Sequence, residues 1–407
     1  MKKKNTNNII YMLMLYSVFI NSYYMREKFL GEFGAINILF LFLLVIYIIL
    51  NINRVSGVMV IYVTFIGIYI IFIDRIINNN PINSILRSLV MTILPLYMLA
   101  VKLPKKEIKQ VVITSTKIIN FFMVIIFLIG LIDWFIGFKI MKFLGYYLVP
   151  GLKRWIASST YFRYRYTSYM GHSLFTKELF LIFYLLNNVI LKKYNVELLN
   201  RNVVTIISVI GVLLTGSKTG AILILISILL TSQKINILRD KLIPIAIVLG
   251  SYVLGFFNTL IVRLQGETLT SGRSEAALHI NSYNCIQYNF FYGYGEYLDR
   301  ILNNFFNNST TTAYLEYPIK VIALKYGILC AAFIIICIFI IPIIKFIKSK
   351  EYYVLFAFVI EVVNINTYNG LVFKPDNMII LVFFTSILMG VCMDDSRENN
   401  ICSNVYI

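Results

Sequence analysis

Charge is what this 407-residue chain has least of. Only 14% of its residues are charged against 59% hydrophobic, and acids are scarcer than bases, 19 Asp and Glu against 37 Lys and Arg. A soluble domain is nearer half apolar and a quarter charged, so an ordinary water-soluble fold is excluded. What remains is a polytopic membrane protein, all-α because helices satisfy their own backbone groups in lipid. Cysteine occurs five times, at Cys285, Cys330, Cys337, Cys392 and Cys402. An odd number without metal-ligand spacing gives neither a disulfide framework nor a thiolate metal site, and leaves free thiols. Histidine occurs only twice, as His172 and His279. With no metal constellation, no phosphate-cradling glycine loop and no nucleotide fingerprint, no cofactor is expected. The net charge of +18 does not mark a nucleic-acid binder, because the basic residues are scattered between apolar runs and form no single face. Tryptophan is nearly missing, with two residues, so any aromatic belt at the membrane interface falls to 29 Tyr and 31 Phe.

Long apolar runs are what the chain has instead. A span needs about twenty apolar residues, and by that rule about twelve spans are expected. They cover 9–24, 35–50, 57–73, 85–101, 118–136, 174–191, 203–214, 219–231, 242–257, 317–344, 352–366 and 377–393. Pro95 and Pro342 fall inside two of them and predict kinks. Lys2-Lys3-Lys4 precedes the first run, but Asn21-Ser22-Tyr23-Tyr24 is a poor cleavage site, so the run reads as a retained span. Five regions follow: spans one to five in 1–136, a basic loop in 137–173, spans six to nine in 174–257, a large polar loop in 258–316, and spans ten to twelve with a short tail in 317–407.

Lys and Arg alternate along this plan. Arg54, Lys102 to Lys117, Lys192 to Arg201, Lys234 to Lys241 and Lys345 to Lys350 fall in every second connector, which predicts both termini in the cytoplasm. The loop 258–316 then lies outside, before the tenth helix. Polar segments of that length inside a compact protein are uncommon and usually functional when aromatic-rich, as this one is with Phe290, Phe291, Tyr292, Tyr294 and Tyr297. The loop 138–173 breaks the charge rule. It carries Lys139, Lys142, Lys153, Arg154, Arg163 and Arg165 with no acid, which fits an anion site on the outer face. A span count off by one is the alternative.

Three pieces resemble one group of proteins. Arg163-Tyr-Arg165-Tyr-Thr167-Ser168-Tyr-Met-Gly171-His172, running into a span, resembles the Arg…Gly-His-Pro element of bacterial O-antigen and capsule polymerases (the Wzy group). Leu213-Leu214-Thr215-Gly216-Ser217-Lys218-Thr219-Gly220 is similar to the span-ending turn of the wider O-antigen polymerase and ligase superfamily. Ser271-Gly272-Arg273-Ser274-Glu275, then Tyr292-Gly293-Tyr294-Gly295 and Tyr326-Gly327-Ile328, resemble that superfamily's large outer loop and the following span. The chain departs from the pattern at Ser173, where the proline would stand, and at Lys218, where the arginine would stand. It has no histidine in 309–316, where ligases carry one, and this favours polymerase over ligase.

The resemblance implies a glycan donor and a single-repeat acceptor, both on polyprenyl diphosphate, with membrane lipid around them and a flippase and chain-length regulator as pathway partners. Such an enzyme must stabilise a departing diphosphate and deprotonate an acceptor hydroxyl. Guanidinium groups suit the first task because they bridge phosphate oxygens and stay charged beside lipid. Arg163 or Arg165 with Arg273, and Lys218 as a third cation, are the candidates for binding the substrate. Snorkelling among tyrosines would also account for Arg163 and Arg165, and a solvated turn for Lys218. For the base the candidates are His172, His279, Glu178 just inside the sixth span, and Glu296 after Gly293-Tyr294-Gly295. Lys177 reads as a residue that helps Glu178 reach the interface. Glu361, midway along the eleventh run, is expected to face the interior with a partner the sequence does not name. A lipid-linked oligosaccharide flippase or other transporter is the alternative from a different class, but no repeated halves are visible.

Overall fold

The computed structural model describes residues 2–31, 34, 36–103, 107–148, 165–231, 243–266, 278, 280, 286–298, 301–302, 317–368, 371 and 375–394. Among the described residues there are helices and turns but no strand. The helices are α1 Lys2–Ile20, α2 Tyr23–Leu30, α3 Ile38–Leu50, α4 Gly57–Ile77, α5 Ile82–Ala100, α6 Ile108–Phe135, α7 Lys139–Leu148 and α8 Ser173–Tyr194. They continue as α9 Arg201–Leu214, α10 Lys218–Thr231, α11 Ile243–Val253, α12 Asn258–Gly266, α13 Pro318–Tyr326, α14 Ile328–Lys348, α15 Tyr352–Asn366 and α16 Pro375–Met393.

Six of them, α4, α5, α6, α8, α14 and α16, are long and apolar enough to cross a membrane. Shorter apolar helices stand in α1, α3, α9, α10, α11 and α15. Burial separates the long ones by position. In α8 and α16, 89% of the spanning window is inside the protein, against 39% in α4 and α14. Helices α8 and α16, which carry polar side chains within their apolar length, thus form the interior, while the more apolar α4 and α14 present Val58, Ile61, Ile340, Ile344 and Ile347 outward, as helices facing lipid do. Polar side chains join the central helices where lipid offers no alternative partner. Asn120 of α6 and Asn187 of α8 exchange amide hydrogen bonds at 2.9 and 2.8 Å.

The two expected proline kinks take one form. Proline has no N–H and its ring crowds the carbonyl four residues back. Ahead of Pro95 the chain widens into a π-turn over Leu89–Ile93, and ahead of Pro342 into another over Ile336–Ile340. Both turns contain the crowded carbonyl, that of Met91 or Ile338.

Two expectations change. The tenth run, 317–344, is two helices, because the chain reverses its geometry at Gly327, with φ +90° and ψ 160°. The loop 258–316 opens with a helix, α12, and its part 286–298 is packed against the α13–α14 break.

Contacts between chain-distant residues sort the bundle into two ends. At one end Asn7 meets Asn51 at 3.1 Å, Lys193 pairs with Glu351 at 2.8 Å, Lys109 lies over Tyr194, and Val55 bridges Val101. The start of α1 and the last turn of α16 both belong to this lysine-rich end, since Tyr194 also interacts with Asp394. The polar motifs gather at the other end. There Arg26 of α2 forms a buried ion pair with Asp376 of α16 at 2.8 Å.

Candidate functional site

The segment 165–172 is folded into the bundle rather than over it. Tyr166 donates its amide to Leu214 O at 2.9 Å and its hydroxyl to Ile126 O at 2.6 Å. Thr176 on the first turn of α8 donates to Thr167 O at 2.8 Å, and its hydroxyl lies 2.8 Å from that of Ser168. So held, Arg165 donates Nε to Thr215 O at 2.9 Å, and Arg165 is only 6% exposed. Thr215 begins the turn that leads through Ser217 to Lys218 at the start of α10. Two of the motifs named above therefore meet in space.

The next residues on α8 supply the opposite charge. Lys177, Glu178, Glu361, Asn364 and Asn377 all have no solvent exposure. Glu178 Oε2 accepts from Asn377 Nδ2 at 2.7 Å and from the Tyr368 hydroxyl. The Glu361 carboxyl accepts from Asn364 Nδ2 at 3.3 and 3.4 Å and faces both Glu178 and Lys177. Lys177 lies over the Tyr368 ring at 4.8 Å and donates to Thr367 Oγ1 at 3.4 Å. Its stem packs on the start of α10, where a Cβ built at Gly220 would fall 2.6 Å from Lys177 Cγ. The expectation that Lys177 draws Glu178 to the interface is thus corrected: the lysine is inside, because two carboxyls there need its charge.

Lys177 supplies one positive charge to two carboxyls, so neutrality needs either a proton held by the carboxyl pair or a second cation. Such a pair is suited to taking up and giving back a proton. Lys218, 8% exposed, opens α10, two residues before the Gly220 on which the Lys177 stem packs. A helix start disfavours a cation and favours an anion. Arg165, Lys218 and the α10 start thus meet at one turn. His172 caps α8 and its ring lies 6.4 Å from that of Tyr368, nearly parallel, so it adjoins this centre through Tyr368.

Glu296 has other company. Its Oε1 pairs with Lys325 at 2.9 Å and accepts from Ser88 at 2.6 Å and Tyr326 at 3.3 Å. Its amide donates to Asp74 Oδ1 at 3.1 Å, and Asp74 also accepts from Asn80 at 2.8 Å. Asn78 donates to Gly293 O at 2.9 Å. Ser88, Lys325 and Tyr326 come from α5 and α13, so Glu296 fastens the loop to two helices. Burial opposes its ionisation, but Lys325, with hydrogen bonds from Ser88, Lys325 and Tyr326, outweighs this and holds the carboxyl below its ordinary value.

A group depressed on folding contributes stability above its unfolded value, near 4.5 here, and that contribution is lost as pH falls through the lowered value. Hydrogen exchange of 286–298, corrected for intrinsic rate, should therefore quicken on acidification from about pH 6 to about pH 3. In Glu296→Gln it should be fast at both ends; equal pH dependence in both proteins would refute the clamp.

Arg163, Arg273 and His279 lie outside the described residues. Of the other expected residues, Arg165, Glu178, Lys218 and His172 come together and Glu296 stands apart. Sequence reasoning misread Lys177 and missed Tyr368, Asn364 and Asn377. Asn364 had one available signal, its place one helical turn after Glu361. Among the described residues no group of three His, Cys, Asp or Glu side chains could hold a metal ion. No protein-family model matches this chain, and no curated protein matches it at a significant level.

Proposed function

We propose that the chain is an integral-membrane glycosyltransferase that polymerises polyprenyl-diphosphate-linked repeat units into O-antigen or capsular polysaccharide. One observation carries the reading. Arg165 and the Thr215–Lys218 turn, 50 positions apart in sequence, meet beside a buried carboxyl pair. The acceptor hydroxyl attacks the anomeric carbon of the donor while the bond from that carbon to the diphosphate oxygen breaks. Arg165, Lys218 and the α10 start take the charge of the leaving diphosphate. Glu178, backed by Glu361, takes the hydroxyl proton. Each stabilisation is largest where charge develops, as transition-state binding requires.

The six long helices, with shorter apolar helices at the other expected positions, support a twelve-span arrangement. The lysine-rich end, which includes the start of α1 and the end of α16, supports both termini in the cytoplasm of a bacterium. The polar centre then faces outward, where lipid-linked repeat units would reach it.

The test is the glycan profile of a host that keeps the rest of the pathway and lacks this gene. Surface glycan should shrink to one repeat unit, and the wild-type gene should restore long chains. Glu178→Gln and Arg165→Ala, inserted at wild-type levels, should not restore them; the expected drop in polymer is about a hundredfold or more. Arg165→Lys should restore little, because the fork that bridges two phosphate oxygens is gone. Full-length chains stranded on the carrier would mean a ligase, and single repeats trapped on the inner leaflet a flippase. Either result refutes the polymerase reading.

A further inference from the structure

A cavity of about 360 Å3 opens at the lysine-rich end, between the last turns of α5, α14 and α16. Its walls include Leu99, Val101, Leu103, Met389 and Met393, and its cations are Lys102, Lys345 and Lys348. All three lysines are exposed, and among the described residues none forms an ion pair with a carboxylate. Lys193, at the same end of the bundle, does have such a partner in Glu351. Lys345 Nζ donates to Met389 Sδ at 3.6 Å, and a thioether is a weak acceptor for an ammonium. Lys102 lies close enough to Lys345 for the two charges to repel. Three cations around one mouth, none paired with a carboxylate among the described residues, raise each other's energy, and a single anion placed among them reverses this.

We propose that this cavity binds an anionic phospholipid, its phosphate held by Lys102, Lys345 and Lys348. The apolar walls separate this ligand from a free anion, which would gain nothing from Leu99, Leu103 or Met393. Next to the mouth, α14 presents Ile344 and Ile347, 45% and 50% exposed, to the surrounding lipid. Acyl chains leaving the cavity therefore pass onto a surface that is already apolar. Snorkelling of single lysines places them singly along an interface. Here two from α14 and one after α5 converge on one opening. The site lies at the opposite end of the bundle from Glu178 and needs no assumption about the reaction.

The test is native mass spectrometry of the purified full-length chain, exchanged into mixed micelles with phosphatidylglycerol or phosphatidylcholine. One phosphatidylglycerol per chain should stay bound in preference to phosphatidylcholine. Lys102→Gln/Lys345→Gln/Lys348→Gln should weaken its retention about a hundredfold. Lys28→Gln/Lys117→Gln/Lys320→Gln, which removes the same charge elsewhere, should leave it unchanged. Replacing the first three lysines by arginine should keep the lipid bound, which separates charge loss from misfolding. Equal retention of the two lipids, or of phosphatidylglycerol by the first triple variant, overturns the proposal. Displacement of the lipid by millimolar inorganic phosphate overturns it too, by showing a site for the free anion.

Discussion

Lys177→Met should be among the most damaging single substitutions in the interior. Methionine matches the stem that packs on Gly220, so little volume is lost, and the effect reports the charge. Without the ammonium, Glu178 and Glu361 face each other with no solvent exposure and without the one cation seen to act on both. Removing one partner from a buried charged group costs about 3–5 kcal/mol. The measurement is thermal unfolding of the purified chain in detergent, with the folded fraction followed by size exclusion. Adding Glu361→Gln to Lys177→Met should recover about 1–3 kcal/mol, because the pair then carries one carboxyl fewer. Lys139→Met, which removes an exposed lysine, should change little. If Lys177→Met melts like the wild type, or if the second change only adds its own loss, the buried cluster is not organised around this lysine.

The same cluster shows where sequence reasoning reached and where it stopped. Helix positions were legible because the length of an apolar run depends only on local composition. The meeting of Arg165 with the Thr215 turn was not legible, since no local pattern relates residues 50 positions apart; the resemblance offered Arg165 and Lys218 only as cations for one substrate. Lys177 was misread for a physical reason. A lysine beside a glutamate near the end of a span has two low-energy solutions, reaching out to water or neutralising a buried acid. The choice depends on Glu361 and Tyr368, which lie on a helix and a turn nearly two hundred positions later. Glu361 could be placed inside from its depth alone, but naming its partners required knowing that α8 and α15 pack together. Glu296 shows the reverse. The sequence offered it as a base acting on a substrate, and the glycines before it mark a close approach of backbone. The structure supplies Leu324, Lys325 and Asp74 instead.

That close approach gives the second large effect. The break at Gly327 strands carbonyls at the end of α13 and amides at the start of α14, and lipid offers them nothing. The loop supplies partners for two of those carbonyls and two of those amides. Tyr294 N donates to Leu324 O at 2.9 Å and Gly295 N to Lys325 O at 2.7 Å, while Ile328 N and Leu329 N donate to Asn289 O and Phe290 O at 3.0 Å each. A Cβ at position 293 would lie 2.1 Å from Leu324 O, and one at 327 would lie 2.8 Å from Phe291 C. These are backbone atoms and cannot swing aside. Gly293→Ala must therefore lift the strand-like segment off the break. Overpacking of this kind costs about 1–3 kcal/mol, and each lost hydrogen bond adds about 1 kcal/mol. Gly327→Ala should be similar, since its φ of +90° is also strained for any side chain. Gly250→Ala, with open space around it, should be neutral or slightly stabilising. Phe290, Phe291 and Tyr292 give a direct readout, because all three side chains are exposed while the backbone beneath them is tied down. Chymotrypsin should cut there about tenfold faster in Gly293→Ala and Gly327→Ala than in the wild type, and Gly250→Ala should match the wild type. Equal cleavage in all four proteins would mean that the segment is not held by the helix break, and that α13 and α14 satisfy their stranded groups in some other way.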